Sequence, residues 1–370
     1  MKLKRIIKWI AAAVSLALVA AALIAYWASD NACVDGGIAA PRNPMKAIVY
    51  CDYGSADVLR LADVEKPAPG DEQILVKVHA AALNPLDWHF VRGTPYVMRL
   101  QSGLRKPKVV QLGVDFAGTV EAVGKNVTQF KPGDDVFGGR TGAFAQYLCV
   151  RADRAVVAKP ANLSFEQAAA IPIAAVTALQ GLRDKGQVQP GQSVLINGAS
   201  GGVGTFAVQI AKTLGADVTG VCSTRNLELV RSLGADRVID YTREDFTKSG
   251  STYDLILDTV GNRSLADLRR VLAPKARCVM IGGGGPNDGK WIGALGRPVL
   301  ALAQSPFIGQ EMRMMLAELN KKDLTLLGEL IQAGKVTPVI DRRYSLSEVP
   351  AAIRYLEEGH ARGKVVIDVD

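Results

Sequence analysis

A glycine-rich turn, the most constraining feature of the sequence, lies in LINGASGGVGTFAVQIAK between an aliphatic run and an amphipathic one. Against the dinucleotide pattern Gly-x-Gly-x-x-Gly, Ala199 replaces the first glycine, while Gly201 and Gly204 are kept. Gly201 lets the main chain approach a pyrophosphate, Gly204 lets the helix pack on the strand, and the helix N-terminus directs N–H groups at the phosphates. A plain strand-to-helix turn is the alternative. The turn therefore predicts a dinucleotide site, made by Ser200, Gly201, Gly202, Val203 and Gly204.

Two further patterns predict the architecture. From about Phe165, aliphatic stretches such as SVLING, DVTGVCS and YDLILDTVG alternate with helical patterns, which indicates βαβ units and a parallel sheet. Upstream, β-branched runs such as QILVKVHAAAL are separated by proline and glycine turns and predict a β domain. The sequence predicts an α/β protein with a β domain over residues 45–164, a doubly wound parallel-sheet domain over 165–335, and a return to the first domain over 336–370.

The N-terminus carries an apolar segment behind a basic start. Ser15 is the only clearly polar residue from Ile10 to Trp27, and a helix of this length, at about 1.5 Å per residue, nearly spans a hydrocarbon core of about 30 Å. We predict a basic N-terminus over 1–8, a transmembrane anchor over 9–28 and a linker over 29–44, which makes this a membrane protein. A cleaved signal peptide and a buried core helix are the alternatives, and the first is disfavoured because small residues are not in register for cleavage.

The sequence leaves open on which side of the membrane the large domain lies. The positive-inside rule places the basic residues in the cytoplasm and the large domain across the membrane, away from a soluble cytoplasmic cofactor.

Charge and cysteine content exclude other classes. The formal net charge is +8, but four of these charges precede the apolar segment and the rest form no basic stripe with interleaved aromatics, so nucleic acid is not an expected partner. The five cysteines contain no CxxC pair and only three histidines are present, so no metal site is expected. We expect the cysteines to be buried and unpaired.

The end of the second strand of the parallel sheet predicts which dinucleotide binds. An NAD site usually carries an acidic residue here, but the stretch GVCSTRN offers Ser223 and Arg225 instead. A guanidinium can pair with an additional phosphate, so we predict NADPH rather than NADH. Tyr241, at the end of the third strand, is a further candidate for that phosphate. Ordinary surface positions for Arg225 and Tyr241 are the alternatives.

Taken together, these residues resemble the zinc-independent, quinone oxidoreductase-like branch of the medium-chain dehydrogenase/reductase family. The resemblance is carried by AALNPLDWHFVRG, GVDFAGTVEAVGKNVTQFKPGDDVFG, AAAIPIAAVTALQGL, LINGASGGVG, SLGADRVIDY and GHARGKVVI. It implies a GroES-like β domain, a Rossmann domain and an active site between them. Zinc-dependent relatives place a cysteine ligand near Asn84 and a histidine ligand near Val114, so the resemblance implies chemistry without zinc.

The resemblance also implies a substrate class and a set of catalytic candidates. Without a metal, quinones and α,β-unsaturated carbonyls are suitable acceptors, because hydride addition gives a delocalised anion that hydrogen-bond donors can stabilise. We expect Asn84 to act as a donor, His89 and Tyr96 to donate a proton or line the acceptor pocket, Asp87 to orient the loop, and Thr177 to approach the nicotinamide. Purely structural roles are the alternative for each.

Three functions remain open at this point. The first is an NADPH-dependent reductase of quinones or enones. The second is an NAD(P)-dependent alcohol dehydrogenase or aldehyde reductase, and the third is a noncatalytic, membrane-tethered NADPH-binding module. The resemblance also suggests a homodimer.

Overall fold

The computed structural model describes most of the chain downstream of the N-terminal segment. The described residues are Ala20, Leu23, Tyr26, 31–34, 37–282, 289–293, Gly296, 299–301 and 309–370. The predicted transmembrane anchor over 9–28 therefore lies almost wholly outside the described residues. Within the part that is described, no helix has the length and apolar character needed to cross a membrane.

Seventeen strands are present among the described residues. They are β1 (Cys33–Val34), β2 (Gly37–Ile38), β3 (Pro44–Val49), β4 (Arg60–Glu65), β5 (Gln73–Ala82), β6 (Asp115–Val123), β7 (Asp135–Gly139), β8 (Tyr147–Arg151), β9 (Val156–Ala158), β10 (Ser193–Asn197), β11 (Asp217–Cys222), β12 (Arg237–Asp240), β13 (Tyr253–Asp258), β14 (Leu272–Met280), β15 (Glu311–Met314), β16 (Ile340–Ser345) and β17 (Lys364–Asp368).

Helices connect these strands. The α-helices are α1 (Pro85–Arg92), α2 (Arg99–Ser102), α3 (Phe165–Ala169), α4 (Pro172–Gln180), α5 (Gly202–Thr213), α6 (Leu227–Ser232), α7 (Leu265–Arg270), α8 (Lys321–Gln332) and α9 (Val349–Glu357). Short 3₁₀ turns include Tyr96–Met98 and Thr224–Asn226.

The second half of the chain forms a six-stranded parallel sheet in the order β12-β11-β10-β13-β14-β15. Strand order reverses between β10, which starts the sheet, and β13, so the crevice at the carboxyl ends of these two strands is a topological switch point. This is the arrangement of a doubly wound nucleotide-binding fold. The prediction of an α/β protein with such a sheet is confirmed.

The first half forms a seven-stranded sheet in the order β16-β17-β5-β6-β7-β9, with β8 also pairing with β5. Strand β17 runs antiparallel to β5, which in turn runs antiparallel to β6. The C-terminal strands therefore lie beside strands from the start of the chain. This pairing brings the beginning of β17 close to the beginning of β6.

Helix α4 joins the two sheets through the core. Eight of its nine residues are buried, as expected of a helix that is apolar all round. It packs against α5, α8, β6 and β7. One continuous core cluster includes Ala82 and Phe137 from the first sheet and Ile196 and Phe206 from the second half. The crevice beside α4 is therefore bounded by both sheets.

The cysteines depart from the sequence expectation. Cys33 and Cys51 form a disulfide across a separation of 18 residues, so the expectation that all cysteines are unpaired was wrong. Cys149, Cys222 and Cys278 form no disulfide among the described residues, and the last two are buried. No spacing motif marks the bonded pair; the fold brings β1 beside Cys51, two residues after the end of β3.

The glycine-rich turn predicts a contrast between two alanine substitutions. A Cβ on Gly204 would lie 2.0 Å from the carbonyl oxygen of Gly198, so Gly204→Ala is expected to lower the free energy of unfolding by about 1–3 kcal/mol. A Cβ on Gly201 would meet only the Gly198 oxygen, at 3.5 Å, so Gly201→Ala should stay within about 0.5 kcal/mol of the parent protein. Urea unfolding monitored by circular dichroism measures both. Equal stability of the two variants would contradict this packing.

Candidate active site

The turn after β10 leaves a set of main-chain donors without acceptors inside the helix. Gly201 is the N-cap of α5, with φ −81° and ψ 177°, and supplies no side-chain cap. The first-turn N–H groups of Gly202, Val203 and Gly204 therefore have no intrahelical acceptor. The space beyond Gly201 is open, since no atom lies closer than 3.5 Å to the site of a Cβ there. An uncapped helix start beside open space suits a phosphate group.

A buried amide and a buried carboxylate lie next to this turn. Asn197, at the end of β10, donates from Nδ2 to Oδ1 of Asp258 at 2.9 Å and to Oδ1 of Asn262 at 3.1 Å. Asp258, at the end of β13, also accepts from the main-chain N–H of Gly261. These bonds hold the carboxyl ends of the two central strands together at the switch point.

The end of β11 lies beside the glycine-rich turn, as the sequence predicts. Asn226 Nδ2 donates to Ser200 Oγ at 3.0 Å and to Ser223 Oγ at 3.2 Å, which links the turn to the end of the strand. Arg225 Nη2 donates to the carbonyl of His360 at 2.8 Å. Tyr241 is exposed and its N–H donates to the carbonyl of Cys222, beside Ser223. The predicted adenosine-side residues therefore share one region.

A carboxylate that the sequence analysis did not consider also lies here. Asp240, at the end of β12, accepts hydrogen bonds from the hydroxyls of Thr224 and Thr242 at 2.5 and 2.7 Å. The bond from Thr224 holds the pKa of the Asp240 carboxyl below its usual range. Its side chain is buried, so two threonine hydroxyls cover the negative charge.

A buried polar network lies where β5, β6 and β17 meet. Lys364 Nζ donates to the carbonyl of Leu83 at 2.9 Å, to Asn84 Oδ1 at 2.7 Å and to Asp115 Oδ2 at 3.2 Å. Asn84 Nδ2 donates to the same Asp115 oxygen at 2.9 Å. The side chains of Lys364 and Asp115 are 3% and 0% exposed, so each charge depends on the other.

Asp115 also fixes the start of helix α4. Its Oδ1 accepts from the N–H of Ile173 at 3.0 Å, and one turn later Thr177 Oγ1 donates to the Ile173 carbonyl at 2.6 Å. Burial raises the pKa of Asp115, while the Lys364 ammonium and the donors from Asn84 and Ile173 act in the opposite direction. The Asp115 carboxylate therefore fixes Asn84 and the start of α4 together. Thr177, which is predicted to approach the nicotinamide, lies one turn along that helix.

Asp87 orients the loop after β5 in the way the sequence predicts. Its Oδ2 accepts from the N–H of Asn84 at 2.7 Å, which fixes the start of α1. Burial raises the pKa of the Asp87 carboxyl to about 7, with the Asn84 N–H acting against this rise. The carboxyl is fully enclosed, and its role is to hold Asn84.

His89 lies on α1 in a state that does not suit proton donation. Its Nδ1 lies 2.7 Å from the Thr94 carbonyl and must donate to it, because a carbonyl can only accept. Burial lowers the pKa of the imidazole, so the neutral ring presents Nε2 as an acceptor. The ring also stacks on Trp88, with centroids 3.6 Å apart. Of the two predicted roles, lining the pocket fits this geometry better than donating a proton.

Tyr96 lies farther along the same loop and is held by stacking. Its ring meets Trp291 edge-on at 5.5 Å between centroids, and the Arg99 guanidinium lies 4.6 Å from its centroid. Its N–H donates to the Lys290 carbonyl at 2.7 Å. Tyr96 thus connects the loop after α1 to the segment at 289–293.

The residues of the site that were missed from the sequence include Asp115, Asn226, Asp240 and Lys364. Asp115 and Lys364 lie inside the quoted stretches GVDFAG and GHARGKVVI, where a charged residue within an aliphatic run is the available signal. Asn226 follows Arg225 directly and resembles an ordinary helix-start residue. Its role becomes visible only when β10 and β11 are placed side by side.

The buried ion pair generates a stability prediction. Lys364→Met leaves Asp115 enclosed without its cation, so the free energy of unfolding should fall by about 3–5 kcal/mol. The double substitution Lys364→Met with Asp115→Asn should recover part of this loss, because no buried charge remains. Lys335→Met, at an exposed lysine, is the matched control and should change stability by less than about 0.5 kcal/mol. Urea unfolding that finds Lys364→Met as stable as the parent protein would refute the assignment.

Comparison with known protein families agrees with this geometry. Residues 70–161 match the model described as the alcohol dehydrogenase GroES-like domain, and residues 233–367 match the model described as zinc-binding dehydrogenase. The first match includes Asn84 and Asp115. The second includes Lys364.

Individual relatives span nearly the whole chain. A 2-methylene-furan-3-one reductase of Solanum lycopersicum is 39% identical over 338 residues, which covers 87% of this chain and 79% of that protein. An NADPH-dependent alkenal/one oxidoreductase of Arabidopsis thaliana is 35% identical over 343 residues, with the same coverage of 87% and 79%. The solved structure of a quinone oxidoreductase from Coxiella burnetii superposes with a TM-score of 0.77 at 32% identity, covering 89% of this chain and 100% of that one.

These matches extend over both sheets and over the crevice between them. The identity to the relatives is high enough to establish common descent along most of the chain. The chain belongs to the quinone oxidoreductase-like branch of the medium-chain dehydrogenase/reductase family, whose members are NAD(P)H-dependent oxidoreductases.

Proposed function

We propose that this protein reduces quinones or α,β-unsaturated carbonyls with NADPH and without zinc. The observation that carries the proposal is the position of the Lys364 ammonium between Asn84 and Asp115. Zinc-dependent relatives place metal ligands near Asn84 and Val114. In this chain a fixed, buried positive charge takes that place.

An ammonium group in this position opposes the binding of a second cation. All three N–H groups of Lys364 are used, by the Leu83 carbonyl, Asn84 and Asp115. Asp115 accepts from Lys364, Asn84 and Ile173, so both of its oxygens already have donors and its charge is already balanced by Lys364. Repulsion between like charges a few ångströms apart is strong where water is excluded. In this site the substrate that receives the hydride must therefore be activated by hydrogen-bond donors.

The residues present fit a bound dinucleotide. The uncapped start of α5 and the open space at Gly201 would hold the pyrophosphate, and Ser200, Ser223, Arg225 and Tyr241 surround the expected place of the adenosine phosphate. Thr177 lies on the helix that bounds the crevice. When bound, NADPH supplies a hydride; the protein positions it and excludes water.

Asn84 is the residue best placed to stabilise charge on the acceptor. One of its two amide N–H groups donates to Asp115, and the other has no acceptor among the described residues. Lys364 and Asp87 fix this amide in a buried position, so its free donor costs little reorganisation when negative charge develops on an acceptor oxygen. His89, on α1, and Tyr96, in the 3₁₀ turn after it, are proposed to line the acceptor pocket. The proton that completes the reaction comes from solvent in this account.

The substrate class follows from how much negative charge one or two hydrogen-bond donors can stabilise. Hydride addition to a conjugated acceptor spreads negative charge over several atoms, whereas a simple aldehyde concentrates it on one oxygen and gains more from a Lewis acid. The names of the two relatives, a 2-methylene-furan-3-one reductase and an alkenal/one oxidoreductase, describe conjugated acceptors. This supports assigning the same class to the present chain.

We also propose that the protein is attached to a membrane, and we propose on which side of it the folded part lies. The apolar segment over 9–28 and its basic start would tether the protein, with the folded part on the non-cytoplasmic side. The Cys33–Cys51 disulfide supports that side, because such bonds persist in oxidising compartments. Formation of a homodimer likewise stays a prediction; β15 lies at the edge of the parallel sheet.

The function is tested by following NADPH oxidation at 340 nm with a panel of quinones, enones and aldehydes, before and after treatment with a chelator. We expect turnover of quinones or enones that the chelator leaves unchanged, and at least tenfold lower efficiency with simple aldehydes. Chelator-sensitive aldehyde reduction would favour the alcohol dehydrogenase alternative. Tight NADPH binding without turnover of any acceptor would favour a noncatalytic module.

The proposed side of the membrane makes a separate prediction about the cysteines. Protein extracted from cells in the presence of a thiol-alkylating reagent should yield, on non-reducing peptide mapping, a bonded Cys33–Cys51 pair. Cys149, Cys222 and Cys278 should be alkylated after denaturation and serve as internal controls. Recovery of alkylated Cys33 and Cys51 would contradict exposure of this part to an oxidising compartment.

A further inference from the structure

We propose that Asn226 is a positioning residue that sets the preference for NADPH over NADH, by holding the hydroxyls of Ser200 and Ser223 as donors toward the adenosine 2′-phosphate. This inference rests on the proposed function, since it concerns the cofactor of the same site. Asn226 itself is not expected to touch the phosphate.

The amide of Asn226 is fixed between two elements of the parallel sheet. Its side chain is 4% exposed, and Nδ2 donates to Ser200 Oγ at 3.0 Å and to Ser223 Oγ at 3.2 Å. Its N–H donates to the Ser223 carbonyl at 2.9 Å, which closes the 3₁₀ turn at the end of β11. Both N–H groups of the amide are therefore used, one on the turn after β10 and one on the end of β11.

This arrangement leaves the O–H groups of Ser200 and Ser223 free to donate. A hydroxyl that accepts a hydrogen bond from an amide retains its own O–H as a donor. Neither Ser200 nor Ser223 donates from its hydroxyl to an acceptor among the described residues. Two O–H groups from two different elements are thus available on the same side of Asn226.

Such a pair of donors discriminates between the two dinucleotides. A phosphate group only accepts hydrogen bonds at neutral pH, whereas the ribose hydroxyl that replaces it in NADH both donates and accepts. Hydrogen bonds to a charged acceptor are roughly twice as strong as neutral ones. The Arg225 guanidinium lies one residue away and adds positive charge, with one N–H held by the His360 carbonyl. The two serine hydroxyls, which have no other acceptor among the described residues, therefore favour the 2′-phosphate of NADPH over the ribose hydroxyl of NADH.

The remaining atom of Asn226 argues against a purely structural role. Its Oδ1 is buried and has no hydrogen-bond partner in the described part of the chain. A buried acceptor without a donor lowers stability, so an apolar residue of similar size would suit the fold alone at least as well. What an apolar residue would not supply is the pair of N–H groups that orient the serines.

Two near-isosteric substitutions test the proposal. Asn226→Leu removes both N–H groups, and Asn226→Asp replaces them with an acceptor that takes the serine protons and adds negative charge. We expect the ratio of kcat/KM with NADPH to kcat/KM with NADH to fall about tenfold for Asn226→Leu and further for Asn226→Asp. The value with NADH should stay within about threefold of the parent. Asn162→Leu, at an exposed asparagine, is the control and should leave the ratio unchanged.

A binding measurement separates this proposal from the proposed function. Isothermal titration with 2′,5′-ADP and with 5′-ADP needs no acceptor, so it gives a result even if no substrate is turned over. The parent protein should bind 2′,5′-ADP at least tenfold more tightly, and Asn226→Asp should abolish that preference. Equal losses for both nucleotides, or equal losses of kcat/KM with NADPH and NADH, would overturn the proposal and leave Asn226 a structural residue.

Discussion

The structure depends on one buried ion pair, between Lys364 at the start of β17 and Asp115 at the start of β6. Removing two charges from water is costly, and the cost is offset only when every donor and acceptor of the pair is satisfied. Here Lys364 uses three donors, and Asp115 accepts from Lys364, Asn84 and Ile173. The ion pair therefore fixes the C-terminal strand, the loop after β5 and the start of α4 relative to one another.

The same lysine connects the loop after β5 with the glycine-rich turn. Its Cδ lies 3.2 Å from the place of a Cβ on Gly202, so its alkyl chain passes along the start of α5 before its ammonium reaches Asn84. One side chain thereby bridges the expected place of the pyrophosphate and the expected place of the acceptor oxygen. A site arranged in this way has its fixed positive charge supplied by the chain.

Local sequence patterns predicted much of the fold. They could not predict the contacts between residues that are far apart in the sequence. The aliphatic run in SVLING identifies β10, and the glycine spacing identifies the turn after it, because both signals lie within a few residues. Lys364 and Asp115 are 249 positions apart, and Arg225 reaches a carbonyl 135 positions away. No local pattern contains such a pairing. The Cys33–Cys51 bond was missed for the same reason, and the proton-donor role expected of His89 depended on a tautomer that only the Thr94 carbonyl determines.

The central claim is that a site organised by a buried lysine, without zinc, passes hydride to a conjugated carbon. The most direct measurement is mass spectrometry and NMR of the product formed from an enone and NADPH carrying two deuterium atoms at C4 of the nicotinamide, with chelator-treated protein. The account predicts one deuterium, located at the β-carbon of the saturated product. A product without deuterium, or labelling that appears only after zinc is added back, would contradict it.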